Sequence, residues 1–153
     1  MSNVQLLIVD DEERFLETTR RLMENRGVQT KTAPSGAEAL RIIDETPVDV
    51  VILDVKMPGM DGVETLQRIK RHYPLIEVIM LTGHGSVDSA VKGLRMGAFD
   101  YVMKPCDIPD LLAKVEEAYG KKKSMEEKIR KVQVDRMISH PMAVFDKGGE
   151  DRD

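Results

Sequence analysis

The sequence predicts an α/β fold, in which five parallel strands form an open, doubly wound sheet. Short apolar runs alternate five times with segments whose apolar residues recur at helical spacing. The runs are apolar throughout, which indicates strands buried on both faces, as in parallel sheets that carry helices on either side. Because five units cannot close an eight-stranded barrel, the sheet is expected to stay open.

Each predicted element has a local signal. The strands are expected, in chain order, over residues 4–9, 28–32, 48–53, 76–81 and 99–103. The helices that follow them are expected over residues 12–26, from Ser35 to the residue before Pro47, over 63–72 and 86–96, and from about Asp107 onward. Ser35 is expected to cap the second helix, and glycine or proline ends most of the other segments.

Composition excludes several classes of protein. The chain has 153 residues, and no apolar run approaches the length of about 18 residues that a membrane helix needs. The N-terminus lacks the basic stretch of a secretory signal, and the single cysteine, Cys106, cannot form an internal disulfide, so a reducing cytoplasm is expected. Residues 1–120 carry 14 basic and 20 acidic side chains, which argues against direct nucleic-acid binding by this region.

Charged and polar residues follow four of the five predicted strands. Asp10 and Asp11 follow the first strand, Asp54 the third, Thr82 the fourth and Lys104 the fifth. Ligands of open α/β sheets bind outside the carboxyl ends of the strands, so these side chains are expected to meet at one edge. Each alone is typical of a helix cap or a surface position, but three clustered carboxylates repel one another and need a compensating cation.

The predicted ligand set indicates a hard divalent cation. Carboxylate oxygens favour Mg²⁺ first and Mn²⁺ second. A zinc site is not indicated, because Cys106 stands alone and the three histidines are scattered. A carboxylate, Mg²⁺, a hydroxyl group and a lysine together are the components of a phosphoryl-transfer site.

These residues resemble the CheY-like receiver domain of a two-component response regulator. The resemblance covers roughly residues 4–120 and rests on four motifs in the order and spacing of that family. The motifs are Val9-Asp10-Asp11-Glu12, the stretch DVKMPGMDG from Asp54 to Gly62, Leu81-Thr82-Gly83, and DYVMKP from Asp100 to Pro105. The resemblance implies a flavodoxin-like (CheY-like) sheet with strand order 2-1-3-4-5, five helices and a C-terminal extension of the last helix.

The resemblance also implies how phosphorylation would occur. Asp54 would accept a phosphoryl group from a sensor histidine kinase or a phosphotransfer protein in a Mg-dependent reaction. Asp11 would bind the ion directly, Asp10 would act mostly through water, and the backbone carbonyl of Lys56 would be a further ligand. The chain would then be a self-phosphorylated switch with slow self-dephosphorylation, not a turnover enzyme.

Further roles implied by the resemblance concern the response to phosphorylation. Lys104 would pair with the phosphoryl oxygens, and the Thr82 hydroxyl would hydrogen-bond one of them. Tyr101 would be the aromatic switch that turns inward when Thr82 moves. Lys56 and His84 would tune how long the aspartyl phosphate lasts. The switch would control a downstream protein through residues 86–118.

The C-terminal part carries a second pattern. We expect a receiver domain over residues 1–120, a helical extension over 121–138 and a disordered tail over 139–153. Apolar and basic residues recur there at alternating steps of four and three: Leu111, Val115, Ala118, Lys122, Met125, Ile129, Val132 and Arg136. This heptad pattern predicts a homodimer or a partner-binding helix. The homodimer is expected to be weak, because two members of the pattern are basic. The alternative is a helix that frays after Gly120.

Other functions remain open at this point. Too few residues follow Gly120 to form an output domain with its own core, so a stand-alone receiver is expected. A receiver that acts mainly as a phosphorylation-independent dimerisation adapter is one alternative. A haloacid-dehalogenase-type phosphatase is less favoured, since its second catalytic carboxylate would fall at Lys56. A flavodoxin-like cofactor binder is disfavoured because the acidic run after the first strand would repel a phosphate.

Overall fold

The computed structural model describes residues 3–139 and confirms the predicted open sheet. The strands are β1 (Gln5–Val9), β2 (Gln29–Ala33), β3 (Val50–Asp54), β4 (Glu77–Thr82) and β5 (Asp100–Met103). The helices are α1 (Glu13–Glu24), α2 (Gly36–Glu45), α3 (Gly62–His72), α4 (Val87–Arg95) and α5 (Ile108–Ser139). Every strand pair is parallel, and the order β2-β1-β3-β4-β5 is the one that the resemblance implied.

Two layers of apolar side chains explain why the strand sequences lack alternation. Leu6 and Ile8 of β1 pack with residues of α1 and α5 on one face, whereas Leu7 and Val9 pack with residues of α2, α3 and α4 on the other. Successive residues of a strand point to opposite faces, so a strand covered on both faces must be apolar at every position. The central strand β3 is buried along its whole length.

Capping residues fix where two helices begin. The Ser35 hydroxyl accepts the Glu38 backbone N–H at 3.2 Å, as predicted. The Asp61 carboxylate accepts the Glu64 backbone N–H at 2.9 Å, so α3 begins at Gly62. These side chains satisfy backbone donors that have no partner inside the helix.

The segment after β4 differs from its prediction. A helix was expected over residues 86–96, but a short 3₁₀ turn (His84–Ser86) precedes α4. The Ser86 backbone N–H donates to the Gly83 carbonyl at 3.2 Å, which closes a tighter turn than an α-helix allows. The predicted end of the helix holds, because Gly97 adopts a left-handed φ of 108° there.

Helix α5 passes Gly120 without a break and ends at Ser139, so the expectation of fraying after Gly120 is wrong and the predicted extension is present. The chain divides into a compact unit up to Lys122 and a second unit from Lys123. Within the first unit, the Lys122 ammonium lies 2.7 Å from an Asp49 carboxylate oxygen, and both side chains are largely buried. The proposed domain boundaries stay a prediction.

The second unit exposes the apolar members of the heptad pattern. Met125, Ile129 and Val132 have exposed fractions of 38%, 44% and 58%. Ser139, the first residue of the predicted disordered tail, is the last residue of α5, and residues 140–153 lie outside the described residues. Across residues 3–139, every helix is too short or too polar to cross a membrane.

Candidate functional site

Three carboxylates meet at the carboxyl edge of β1 and β3, which are neighbours in the sheet. Asp54 is the last residue of β3, and Asp10 and Asp11 directly follow β1. One carboxylate oxygen of each residue lies within 4.8 Å of those of the other two. Asp10 is fully buried, Asp54 is 8% exposed and Asp11 is exposed. The strand ends therefore bring together carboxylates from distant parts of the sequence.

Lys104 supplies a positive charge to this cluster. It follows β5, where its backbone N–H donates to the Thr82 carbonyl at 2.7 Å. Its ammonium donates to Asp10 at 2.6 Å and to Glu12 at 3.3 Å, and it lies 4.5 Å from the centre of the Phe15 ring. Desolvation by burial acts to lower the pKa of Lys104, but its interactions with Asp10, Asp54 and Glu12 together raise the pKa above its usual value.

Asp54 is less well compensated than Asp10. Removal from water and the charge of Asp10 raise the pKa of Asp54 to about 6. The charge of Lys104 and a hydrogen bond from the Lys56 backbone N–H act in the opposite direction. Because the Lys104 ammonium donates to Asp10, it acts on Asp54 through its charge only. Because pH 7 lies above this pKa, the carboxylate form of Asp54 predominates there.

The cluster fits a hard divalent cation. Its donors are all carboxylate oxygens, and burial together with the neighbouring charge of Asp10 raises the pKa of Asp54, so a bound cation would stabilise its charged form. Carboxylate oxygens are the ligands that Mg²⁺ takes in proteins, usually together with several waters. The exposed position of Asp11 leaves room for such waters.

Thr82 is the last residue of β4 and is fully buried. Its hydroxyl oxygen lies 2.6 Å from the Ser86 hydroxyl oxygen and 3.0 Å from the Gly83 carbonyl oxygen. The sequence reasoning missed Ser86, because it treated that residue only as the start of a helix. A hydroxyl residue four positions after a strand-end threonine was the available signal, and it becomes informative only when the intervening turn is known.

Tyr101 lies on β5, Lys56 follows Asp54 by two residues, and His84 begins the 3₁₀ turn after β4. The residue of β5 that pairs with Thr82 is two positions after Tyr101, so Tyr101 and Thr82 belong to the same face of adjacent strands. Tyr101 is half-buried against the core. Lys56 and His84 are exposed, and the Lys56 ammonium lies 3.9 Å from where a Cβ of Gly85 would be.

Gly62 fixes the loop that follows Asp54. A Cβ at Gly62 would lie 2.3 Å from the Asp54 carbonyl oxygen and 2.7 Å from the Val55 Cα atom, distances that no real side chain tolerates. The Gly62 backbone N–H donates to the Val55 carbonyl at 2.9 Å. This close approach requires glycine and packs the first turn of α3 against the backbone that carries Asp54.

Comparison with known proteins identifies the family. The model of the response regulator receiver domain matches residues 6–116, so the chain belongs to that family and to two-component signal transduction. The putative response regulator NtrX-like of Rickettsia bellii is 40% identical over 120 residues, which are 77% of this chain and 25% of that protein. The DNA-binding transcriptional regulator NtrC of Escherichia coli is 39% identical over 111 residues, or 72% and 24% of the two chains.

Solved structures give the same family. A response regulator receiver domain protein from Clostridium thermocellum is 40% identical, with a TM-score of 0.77 over 80% of this chain and 98% of that one. A CheY-like receiver domain protein from Methanospirillum hungatei is 32% identical, with a TM-score of 0.75 over 80% and 98% of the two chains. The chain spans about a quarter of the length of the curated relatives that it matches.

The pKa of Asp54 predicts how stability depends on pH in the absence of metal. The folded-state pKa of about 6 lies above the ordinary aspartate value of 3.8, so the folded state holds this proton to higher pH than the unfolded state does. Ionisation of Asp54 therefore lowers the free energy of unfolding progressively from about pH 4, and the full loss is reached above about pH 6.5. With a chelator present, Asp54→Asn should raise the free energy of unfolding at pH 7.5 by about 1–3 kcal/mol and change it little at pH 4.

Thermal unfolding at several pH values measures this effect. Asp135→Asn, on the exposed surface of α5, is the matched control and should give the parent profile. An Asp54→Asn difference that stays constant from pH 4 to pH 7.5 would contradict the raised pKa.

Proposed function

We propose that this receiver is phosphorylated on Asp54 and changes conformation in response, so that it controls a partner protein. The observation that carries the proposal is the position of the Asp54 carboxylate at the end of the central strand, within 4.8 Å of the Asp10 and Asp11 carboxylates. Thr82 ends β4, the strand beside β3, and Lys104 directly follows β5, the strand beside β4. Family membership supports the same function.

The proposed reaction moves a phosphoryl group from a phosphohistidine to Asp54. A carboxylate oxygen of Asp54 forms a bond to phosphorus while the bond from phosphorus to the imidazole nitrogen breaks, and the imidazole leaves with that electron pair. Because phosphoryl transfer depends mainly on position and charge, the fixed loop after Asp54 is well suited to it. Hydrolysis by water then restores the carboxylate and releases inorganic phosphate, and Lys56 and His84 are proposed to tune its rate.

A Mg²⁺ or Mn²⁺ ion is the proposed cofactor. Asp11 would hold it directly, Asp10 through water, and Asp54 and the Lys56 backbone carbonyl would complete the protein ligands. When bound, the ion would neutralise charge on the phosphoryl oxygens. The proposed role of Lys104 is to shift from Asp10 and Glu12 towards the phosphoryl group, where it adds a second positive charge.

Phosphorylation is proposed to act on the segment after β4. The new group adds a charge of about −1.5 to −2, and the Thr82 hydroxyl would donate a hydrogen bond to it. The 3₁₀ turn, α4 and Tyr101 would then shift together, and the surface within residues 86–118 would bind the downstream protein. Val91 on α4 is 37% exposed, which supplies an apolar contact there. The acidic body argues against DNA as the direct partner of this region.

Treatment with acetyl phosphate and Mg²⁺ should add the mass of a single phosphoryl group to the intact protein. Asp54→Asn should abolish this addition, because the amide is not a nucleophile at that position. Asp61→Asn is a matched control on the same loop, and it should be phosphorylated like the parent. Equal labelling of the Asp54→Asn variant would rule out Asp54 as the acceptor.

Calorimetric titration with Mg²⁺ tests the metal ligands. Asp11→Ala should weaken binding by at least tenfold, since it removes the proposed direct ligand. Asp10→Ala should have a smaller effect, although it also leaves the Lys104 ammonium without its 2.6 Å partner. Asp88→Ala, an exposed acidic change outside the cluster, should bind like the parent. Unchanged affinity in the Asp11 variant would refute the assignment.

A weak homodimer through the second unit is a further part of the proposal. The exposed Met125, Ile129 and Val132 follow heptad spacing and form an apolar seam along α5. This seam suits pairing with a second copy. They span under two heptads, so the dimer is expected to be weak. Repulsion between the Lys122 side chains of the two copies would oppose pairing. This repulsion is smaller than the sequence indicated, because the Lys122 ammonium is paired with Asp49. A receiver that acts mainly as a dimerisation adapter would use this same surface.

Sedimentation of the full chain should therefore show association that rises with concentration or on addition of a phosphoryl mimic. A double variant, Ile129→Glu with Val132→Glu, should be monomeric, because it places charges in the apolar seam. Lys131→Glu, a charge change outside the seam, should associate like the parent. If the parent and the double variant are monomers under all conditions, the dimer is excluded.

A further inference from the structure

A buried pair of hydroxyl groups links the end of β4 to the start of α4. The Thr82 and Ser86 hydroxyl oxygens are 2.6 Å apart. Thr82 is fully buried and Ser86 is 6% exposed, so water cannot easily replace either partner. The Gly83 carbonyl oxygen lies 3.0 Å from the Thr82 hydroxyl and 3.3 Å from the Ser86 hydroxyl. Three close contacts therefore share two hydroxyl protons.

Two arrangements of the protons satisfy these contacts. In the first, Ser86 donates to Thr82 and Thr82 donates to the Gly83 carbonyl. In the second, Thr82 donates to Ser86 and Ser86 donates to the carbonyl. The Thr82 proton is used inside the loop in both arrangements. The proposed contact with a phosphoryl oxygen needs that same proton. The Thr82 hydroxyl must therefore first give up its acceptor within the loop, which is the Gly83 carbonyl in the first arrangement and the Ser86 hydroxyl in the second.

We propose that Ser86 is a positioning residue that keeps the Thr82 hydroxyl engaged within the loop until Asp54 is phosphorylated. This inference rests on the function proposed above. When Thr82 turns to the phosphoryl group, the 2.6 Å contact is lost and Ser86 keeps only the longer 3.3 Å contact with the Gly83 carbonyl. Ser86 therefore biases the switch towards its unphosphorylated form.

Removal of the Ser86 hydroxyl should make it easier for Thr82 to turn towards the phosphoryl group. In Ser86→Ala, Thr82 retains only its bond to the Gly83 carbonyl, so its rotation breaks one hydrogen bond fewer. The carbonyl keeps a partner after that rotation, because it also accepts the Ser86 backbone N–H at 3.2 Å. A net hydrogen bond of this kind corresponds to about a three- to tenfold change in an equilibrium constant.

The affinity for beryllofluoride, a phosphoryl mimic, tests the inference in the presence of excess Mg²⁺. Ser86→Ala should bind it about three- to tenfold more tightly than the parent. Ser86→Thr keeps the hydroxyl and should bind like the parent. Ser124→Ala, the same change on the exposed surface of α5 outside residues 86–118, should also leave the affinity unchanged. Parent-like or weaker binding by Ser86→Ala would overturn the inference.

A double-mutant cycle in metal-free protein tests the hydroxyl pair without any phosphoryl group. Thr82→Val removes the hydroxyl but keeps the shape of the side chain. Ser86→Ala should lower the thermal midpoint in the parent and have a clearly smaller effect in the Thr82→Val background, since the partner is then absent. Equal effects in both backgrounds would show that Ser86 does not act through Thr82, and the inference would fall.

The two experiments separate this inference from the proposed function. If the parent binds no beryllofluoride and takes no phosphoryl group on Asp54, the proposed function fails and the inference falls with it. If the parent binds the mimic and Ser86→Ala binds it no more tightly, the inference alone falls. Tighter binding by Ser86→Ala, together with coupling to Thr82, supports both.

Discussion

The repulsion among three carboxylates at one edge of the sheet is the constraint on which the site depends. Asp10 and Asp54 are buried, and the pairing of β1 with β3 holds their charges close together. Lys104 offsets part of this charge through Asp10, and the pKa of Asp54 is raised first by burial and then by the charge of Asp10. A site that is under-compensated in this way attracts cations, and its own charge state sets how it responds to an added phosphoryl group.

Apolar packing of the strands against the helices on both faces of the sheet offsets this repulsion and fixes the position of each strand end. β1 and β3 are buried on both faces, and Gly62 lets the first turn of α3 pack directly on the backbone after Asp54. Rigid strands therefore carry the carboxylates, while the residues proposed to respond lie on β4, the 3₁₀ turn and β5. The proposed function would thus divide stability and switching between two parts of the same edge.

The sequence was sufficient to predict the positions of those site residues that the strand pattern alone determines. Asp10, Asp11 and Asp54 could be placed together because parallel strands end at a common edge. The partner of Lys104 could not be predicted, since the choice between Asp10 and Asp54 depends on the local rotamer and charge. Ser86 was missed because its contact with Thr82 requires the 3₁₀ turn, and apolar spacing does not distinguish that turn from a helix. The ion pair between Lys122 and Asp49 joins residues that no local pattern relates.

In the proposed switch, a small interaction such as the Thr82–Ser86 hydrogen bond matters because the opposing free energies are of similar size. A phosphoryl group of about −1.5 to −2 charge entering a cluster of three carboxylates is opposed by their charge, so its stabilisation must come from cations and from donors such as Thr82. The gain from a single hydroxyl donor is of the same order as the bond that it gives up inside the loop. A conformational equilibrium set by terms of this size shifts several-fold when one buried hydroxyl is removed. On this proposal, Ser86 is coupled energetically to the site that the carboxylates form.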